Sequence, residues 1–365
     1  MGTTTPLHAE HEALGAALTD FAGWQMPLRY QSELAEHQAV RTAAGLYDLS
    51  HMGEVEVTGP QAAAVLDHAL VGALSAVPVG RAKYSLLCSP EGTVLDDLVV
   101  YRLAEDHFLA VVNASNAAAD FAELNDRAQG FEATVTDRSA ETALIAVQGP
   151  RAAEVVRGLV PPAQTDTVTA LKYYAAAPAT VAGQEVLLAR TGYTGEDGFE
   201  LYLPAAQAPA LWRALLEAGR PLGLVPAGLA SRDTLRLEAG MALYGHELST
   251  DTDPYSARLG RVVRLDKPFV GRDALAALAE REPARTLVGL RGSGRRAARA
   301  GYSVVDDGGA VVGQVTSGAL SPTLGHPIAL GYVDTALSSP GTELAVDVRG
   351  RPEPYVVTPL PFYRR

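Results

Sequence analysis

The chain has 365 residues, of which 47% are hydrophobic and 20% charged, and its formal net charge is −12. This length predicts two or three domains of an ordinary globular protein. The acidic charge argues against a nucleic-acid binder, because phosphate backbones are held by clustered basic side chains. A single cysteine, Cys88, excludes an intrachain disulfide and any site built from several thiolates.

Signals for secretion and for membrane insertion are not seen in the sequence. The N-terminus lacks a basic stretch followed by an apolar one, and no apolar run approaches the roughly 20 residues that span a membrane. We therefore expect a cytoplasmic protein that binds neither membrane nor nucleic acid. Cys88 lies in an apolar run, so we expect a buried, inert thiol.

The N-terminal part of the chain predicts loops, short strands and two helices. Residues 1–30 are turn-rich. A helix over about 32–44 follows, with Ser32 as its N-cap and Gly45 as its end. The pair Gly59-Pro60 opens a shorter helix through Leu70. His8 and His11 have the spacing of metal ligands but lack partner ligands, so we interpret both as surface residues and predict no metal site.

Residues 81–113 predict a three-stranded antiparallel meander. The runs KYSLLC, TVLDDLVVYRL and HFLAVVN are separated by short turns rich in Pro, Gly and Asp. Because side chains alternate along a strand, Asp96 shares a face with Leu98, and Asp97 shares the opposite face with Tyr101. A carboxylate on an apolar strand face must be paired, protonated or in contact with a ligand.

The rest of the chain predicts an α+β fold that ends in a small β-barrel or jelly roll. Antiparallel hairpins dominate over βαβ units. Helices are predicted near 116–128, 211–219 and 228–239, and strands near 131–137, 142–148, 183–191 and 199–203. Beyond a boundary near 280–285, short strands are predicted at 286–291, 302–306, 311–316, 328–333, 343–348 and 355–358.

Three features are candidates for a binding site. They are Asp96, the glycine-rich segment RTGYTGEDGFELYL that carries Glu200, and Arg232 on the partly apolar side of its helix. The alternative for each is an internal ion pair, such as Arg232 with Glu200 or Asp233 with Arg236. Taken together, two acids, an arginine and several tyrosines suit a pterin, whose amino group and ring N–H can be accepted by one carboxylate.

Motifs for nucleotide-dependent redox chemistry are weak. The run from Gly292 to Ala297 matches a dinucleotide-binding pattern formally, but it does not open a helix within a βαβ unit. A NAD- or flavin-linked oxidoreductase is therefore a distant alternative.

The sequence resembles the aminomethyltransferase (T protein) family of the glycine cleavage system. The resemblance rests on motifs distributed along almost the whole chain, which are TPLHAEH, FAGWQMPLRY, EHQAVRTAAGLYDLSHM, KYSLLCSPEGTVLDDLVVY, VVNASN, VQGP, RTGYTGEDGFE, SRDTLRLEAGMALYGHEL, FVGRDAL, VTSGALSPTLGHPIALGYV and TPLPFYRR. A relative in iron–sulfur cluster assembly fits less well, because its KGCY-type signature is absent.

The resemblance implies domains arranged around a central folate cavity. Residues 1–280 are expected to form two interleaved α+β subdomains, one of them centred on about 53–140. Residues 285–365 are expected to form the C-terminal β-barrel. The implied reaction moves a methylene group from the aminomethyl-lipoyl arm of H protein to tetrahydrofolate, giving 5,10-methylenetetrahydrofolate and ammonia.

The resemblance also implies roles for particular residues. The essential acid of the family falls on Asp96, and Asp97 is interpreted as structural. The expected folate contacts are Met52, Tyr84, Tyr101, Asn113, Tyr174, Glu200, Arg232 and Arg364. Of these, Tyr174 lies in a segment that aligns less clearly, and Arg364 is placed only by the ending PFYRR.

Asp96 is expected to stabilise positive charge that develops on the transferred carbon, and removal of a folate proton by a general base is the rival mechanism. Two other functions stay open. One is a folate-dependent demethylase that acts on a small methylated substrate. The other is a folate-binding assembly factor without catalytic activity.

Overall fold

The structure is a computed structural model that describes residues 2–365, in which nine α-helices and nineteen strands are found. The helices are α1 (His8–Ala13), α2 (Glu33–Thr42), α3 (Ala62–Ala69), α4 (Ala117–Arg127), α5 (Ala152–Arg157), α6 (Thr165–Ala170), α7 (Ala208–Gly219), α8 (Leu229–Glu238) and α9 (Arg272–Ala279). The strands are β1 (Ala17–Phe21), β2 (Trp24–Arg29), β3 (Ala44–Asp48), β4 (Gly53–Thr58), β5 (Ala82–Cys88), β6 (Val94–Ala104), β7 (His107–Val112), β8 (Thr134–Asp137), β9 (Thr142–Gln148), β10 (Ala176–Val181), β11 (Gln184–Ala189), β12 (Gly198–Pro204), β13 (Leu224–Pro226), β14 (Arg285–Gly292), β15 (Ser303–Val305), β16 (Val311–Leu320), β17 (Pro327–Asp334), β18 (Glu343–Asp347) and β19 (Pro352–Thr358).

The chain divides into two compact units. The first contains Met1–Ala69, Ala73–Ser85 and Leu98–Arg232, and the second contains Leu70–Gly72, Leu86–Asp97 and Asp233–Arg365. Each unit is therefore built from separate stretches of sequence. The expected domain limits of 1–280 and 285–365 stay a prediction.

A six-stranded sheet forms the centre of the first unit. Its strand order is β10-β11-β12-β9-β3-β13, and only the β3–β13 pair at one edge is parallel. Alternate apolar residues of β9 and β12 pack under α5 and α7, with Trp212 of α7 fully buried. This sheet holds the glycine-rich segment that leads into β12.

The predicted meander is confirmed as three consecutive strands, β5, β6 and β7. They lie in a five-stranded sheet of order β5-β6-β7-β4-β8. The helix predicted over 32–44 is α2, and the hydroxyl of Ser32 accepts a hydrogen bond from the amide of Ala35 as an N-cap. Cys88, at the end of β5, is buried as expected.

The second unit contains a closed barrel of six strands, in the order β14-β17-β16-β15-β18-β19. Small and branched side chains such as Val288, Leu290 and Val346 fill its interior, and Tyr355 closes the packing. All six strands predicted beyond the boundary are found. The mixed fold with a C-terminal barrel, expected from the sequence, is therefore confirmed.

The prediction that His11 lies at the surface is wrong. Its side chain is fully buried, with Nε2 2.8 Å from Asp48 Oδ2 and Nδ1 2.9 Å from the hydroxyl of Tyr30. Thr5 donates a further hydrogen bond of 2.6 Å to the same carboxylate oxygen. These contacts connect the N-terminal segment to the end of β3. Within residues 2–365, no group of His, Cys, Asp and Glu side chains could hold a metal ion.

Within the described residues, no helix is long and apolar enough to cross a membrane.

Candidate functional site

The two carboxylate oxygens of Glu200, on β12, differ in their hydrogen bonding. Its Oε2 accepts a hydrogen bond of 2.5 Å from the Thr191 hydroxyl, and the hydroxyls of Tyr101 and Tyr202 each lie 3.4 Å from the same oxygen. Across residues 2–365, Oε1 has no hydrogen-bond donor. Half-buried Glu200 therefore has one fixed oxygen and one that can accept bonds from a ligand.

Two glycines, one before β12 and one at its first position, allow Thr191 to lie here. Gly192 and Gly198 pack directly on the side chain of Gln148, and a Cβ atom on either would come within 2.0 Å or 2.3 Å of it. The amide of Gln148 in turn donates to the Thr191 carbonyl oxygen over 3.1 Å. The glycines thus permit a close packing that fixes the hydroxyl beside Glu200.

Two buried tyrosines complete the surroundings of Glu200. Burial raises the pKa of Tyr101 well above its usual range, and the charge of Glu200 raises it further. Burial likewise raises the pKa of Tyr202, followed by the effects of Tyr101 and Glu200. Both phenols therefore stay protonated and serve as hydrogen-bond donors next to the carboxylate.

The guanidinium of Arg232, on α8, lies over the ring of Tyr193, with Cζ 4.8 Å from the ring centroid. Burial lowers the pKa of Arg232, and the negative charges of Tyr193 and Glu200, when present, oppose this shift. Arginine stays cationic even so. The ion pair that forms nearby is instead Arg236 with Asp233, at 2.7 Å, so the predicted alternative holds for that pair and not for Arg232.

The other predicted contacts of the first unit are Met52, Tyr84, Asn113 and Tyr174, of which Tyr174 interacts with the cluster. Tyr174 has a positive φ of 58° and acts electrostatically on the phenol of Tyr101. Met52 and Asn113 flank the paired ends of β4 and β7, where Gly53 is opposite Val112, and both are half-buried. Tyr84 is half-buried on β5.

Asp96, Asp97 and Arg364 belong to the second unit. Arg364 is exposed. Asp96 is fully buried on the face of β6 that carries Leu98, whereas half-buried Asp97 lies on the face of Tyr101. The sequence analysis interpreted Asp97, on this less buried face of β6, as structural. The role of Asp96 stays a prediction.

The sequence analysis did not single out two titratable residues close to Met52 in the chain, His51 and Glu54. His51 is buried, and burial together with the charge of Arg232 lowers its pKa to about 4, although Asp48 opposes the shift. Glu54 is fully buried, and neither of its carboxyl oxygens has a hydrogen-bond partner in the described part of the chain. Burial, followed by the charge of Asp137, raises the pKa of Glu54 well above 4.5. Both side chains are therefore neutral.

Glu54→Gln is expected to flatten the pH dependence of stability. Because folded Glu54 retains its proton above its ordinary pKa of 4.5, the free energy of unfolding of the wild type falls as pH rises toward the raised pKa. The loss approaches about 1.4 kcal/mol per pH unit within that window. Urea unfolding of both proteins at several pH values measures the difference, and parallel curves would contradict it.

Comparison with known proteins agrees with this architecture. Residues 7–267 match the family model described as the GCVT N-terminal domain, and residues 285–364 match the glycine cleavage T-protein C-terminal barrel domain. Aminomethyltransferase from Saccharopolyspora erythraea is 60% identical, over 99% of this chain and 98% of that protein. Aminomethyltransferase from Streptomyces avermitilis is also 60% identical, over 99% and 97%.

A crystal structure of the glycine cleavage system aminomethyltransferase T from Bartonella henselae has a similar fold. It matches with a TM-score of 0.92 and 40% identity, covering 100% of this chain and 98% of that one. The fold and these matches define a group-transferring enzyme. The chain belongs to the family of aminomethyltransferases, or T proteins, of the glycine cleavage system.

Proposed function

We propose that this enzyme transfers the one-carbon unit of the aminomethyl-lipoyl group of H protein to tetrahydrofolate, with release of ammonia. The observation that carries the folate assignment is the Glu200 carboxylate. Three hydroxyls surround its Oε2, whereas Oε1 has no donor within residues 2–365. Such a carboxylate suits a ligand edge that presents N–H groups.

The edge of a pterin offers the complementary groups. Its 2-amino group and ring N–H are donors for Glu200, and the adjacent carbonyl oxygen is an acceptor for a cation. Arg232 interacts electrostatically with Glu200 and forms no ion pair in the described chain. Glu200 and Arg232 are therefore proposed to bind the same end of the ligand, where Tyr193 supports the guanidinium.

The side chains around Glu200 fix its carboxylate in place before a ligand binds. The Thr191 hydroxyl fixes the carboxylate, and the raised pKa values of Tyr101 and Tyr202 keep both phenols as donors. A preorganised acceptor of this kind binds a ligand without paying for reorganisation at the moment of contact. Met52, Tyr84, Asn113 and Tyr174 are proposed to complete the ligand contacts, with Arg364 as a further cation.

The folate supplies two nitrogens that bond to the transferred carbon. In the balanced reaction the carbon loses its bonds to the amine and the lipoyl sulfur, while the two protons leaving folate nitrogens end on ammonia and on the thiol. A carboxylate of β6 is proposed to stabilise positive charge on the carbon. The strand alternation favours Asp97 for this role, and the family resemblance as interpreted from the sequence favours Asp96.

The test has two steps on the intact wild-type chain. Tetrahydrofolate, under anaerobic conditions, should raise the thermal unfolding temperature, and aminomethylated H protein should then release ammonia only when folate is present. Binding without ammonia release would favour an assembly factor. Folate-dependent loss of a methyl group from a small amine would favour a demethylase. Absence of both binding and ammonia release would overturn the proposal.

A further inference from the structure

The helix α2 contacts two of the segments that carry the candidate site. At its N-terminal end the buried carboxylate of Glu36 accepts a hydrogen bond of 2.9 Å from the amide of Gly228. Gly228 directly precedes α8, and its carbonyl oxygen accepts a hydrogen bond of 3.1 Å from the amide of Arg232. Glu36 therefore fixes the start of the helix that carries Arg232. The second contact is made by Arg41, near the other end of α2, which has no role so far.

The guanidinium of Arg41 lies against the glycine-rich loop, residues 191–197, which precedes β12. Its Nη1 atom donates to the Thr194 carbonyl oxygen over 2.7 Å and to Glu196 Oε1 over 2.9 Å. The side chains of Arg41 and Glu196 are only 6% and 4% exposed, so water does not compete for this ion pair. Because removal of one partner would leave a buried, uncompensated charge, the pair disfavours other positions of the loop.

Side-chain hydrogen bonds continue from this loop to Glu200. The Thr194 hydroxyl donates to Gln148 Oε1 over 3.0 Å. The amide of Gln148 donates to the Thr191 carbonyl oxygen over 3.1 Å, and the Thr191 hydroxyl donates to Glu200 Oε2 over 2.5 Å. Arg41 is thus connected to the candidate ligand-binding carboxylate by an unbroken series of polar contacts.

We infer that Arg41 is a positioning residue for folate binding, an inference that rests on the proposed function. The loop that Arg41 holds carries Thr191, which fixes Glu200. It also carries Tyr193, whose ring centroid lies 4.8 Å from Arg232 Cζ. A loop that is held in place before the ligand arrives need not be ordered during binding. Arg41 acts through this loop and does not itself contact the ligand.

Arg41→Gln is expected to raise the dissociation constant of tetrahydrofolate about fivefold or more, because the ligand must then order the loop. The kcat for ammonia release at saturating folate should stay within about threefold, since bound folate restores the position of the loop. Anaerobic calorimetry and steady-state ammonia release with aminomethylated H protein measure the two quantities. Arg41→Lys, which keeps the charge but not the planar group, should recover part of the affinity. If Arg41→Gln does not fold, Glu196→Gln makes a milder change to the same ion pair and carries the same comparison.

Arg127→Gln is the matched control. The Arg127 side chain is also buried, at 4% exposed, and it also donates to a carboxylate oxygen, of Glu123, and to a backbone carbonyl oxygen, of Ala69. Neither partner lies in the glycine-rich loop. This variant should lose thermal stability, measured without ligand, and should bind tetrahydrofolate within about twofold of the wild type. Weakening of folate binding in proportion to lost stability in both variants would assign Arg41 to the scaffold and overturn the inference.

A double substitution provides a second criterion. Because Arg41 is inferred to act partly through Glu200, Arg41→Gln should weaken folate binding by a smaller factor in the Glu200→Gln protein than in the wild type. Equal factors in both backgrounds, or no weakening in the wild type, would overturn the inference. Failure of the proposed function looks different, since the wild type itself would then not bind tetrahydrofolate.

Discussion

Asp97→Asn is expected to lower kcat for ammonia release by about 100-fold or more, while the dissociation constant of tetrahydrofolate changes by less than about threefold. The amide keeps the shape of the side chain but removes the charge that would stabilise a cationic carbon. Steady-state ammonia release with aminomethylated H protein measures kcat, and calorimetry measures folate binding separately.

Asp96→Asn is the matched control, since it changes the neighbouring residue on the opposite face of β6. Asp96 is fully buried, so this variant is expected to lower the free energy of unfolding and to leave kcat within about tenfold. The reverse result, with turnover lost in Asp96→Asn and retained in Asp97→Asn, would restore the original assignment from the sequence. Full activity in both would exclude a β6 carboxylate from the transfer step.

Glu200→Gln is expected to weaken tetrahydrofolate binding by about 1–3 kcal/mol, or roughly 5- to 150-fold. The amide nitrogen presents donors where the ligand also presents donors, and the accepting charge is lost. The kcat measured at saturating folate should change far less than the dissociation constant. Calorimetric titration of folate into each protein gives the difference directly.

Glu185→Gln provides the comparison for that experiment. Glu185 belongs to β11, adjacent to β12 in the same sheet, and it is exposed and hydrogen-bonded to Thr180. Its substitution removes the same charge without touching the cluster of hydroxyls, so folate binding should stay at the wild-type value. Unchanged binding in Glu200→Gln would contradict the assignment of its Oε1 to the ligand.

Much of the fold could be predicted because local patterns agree with the structure formed. The N-cap of α2, the turns around β6 and the short barrel strands all carry their own signals in the sequence. The strand β10 was missed, since its AAPATV run is short, rich in alanine and contains a proline. The strand β3 was missed because AGLYD is a strand mainly through its neighbours β9 and β13.

The candidate site was predictable only in part, because its residues come from distant segments. Glu200 and Arg232 could be singled out as charges in apolar surroundings, and family resemblance supplied the rest. His11 could not be placed from the sequence, since the carboxylate that buries it is Asp48, 37 positions away. For the pair Asp96 and Asp97, alternation separates the two faces of a strand but does not say which face the core covers.

Whether a buried polar side chain lacks a hydrogen-bond partner is even harder to predict from a sequence. Nothing in the run GRAKYS shows that the Nη1 atom of Arg81 is buried without a hydrogen-bond partner within residues 2–365. The same holds for Glu54, whose neighbours in GEVEVT predict a strand but not a fully buried carboxyl group. The environments of Arg81 and Glu54 depend on which side chains the tertiary structure brings near them, so they can be recognised only in the folded chain.

The order of strands also has a consequence for synthesis on the ribosome. The edge strand β13 (residues 224–226) pairs with β3 (residues 44–48), so the sheet of the first unit is incomplete until the intervening residues 49–223 have been translated. The barrel strands, by contrast, all come from residues 285–358. A nascent chain stalled before Leu224 would therefore expose the edge of β3 and become a target for chaperones, whereas the barrel can form soon after its own strands emerge.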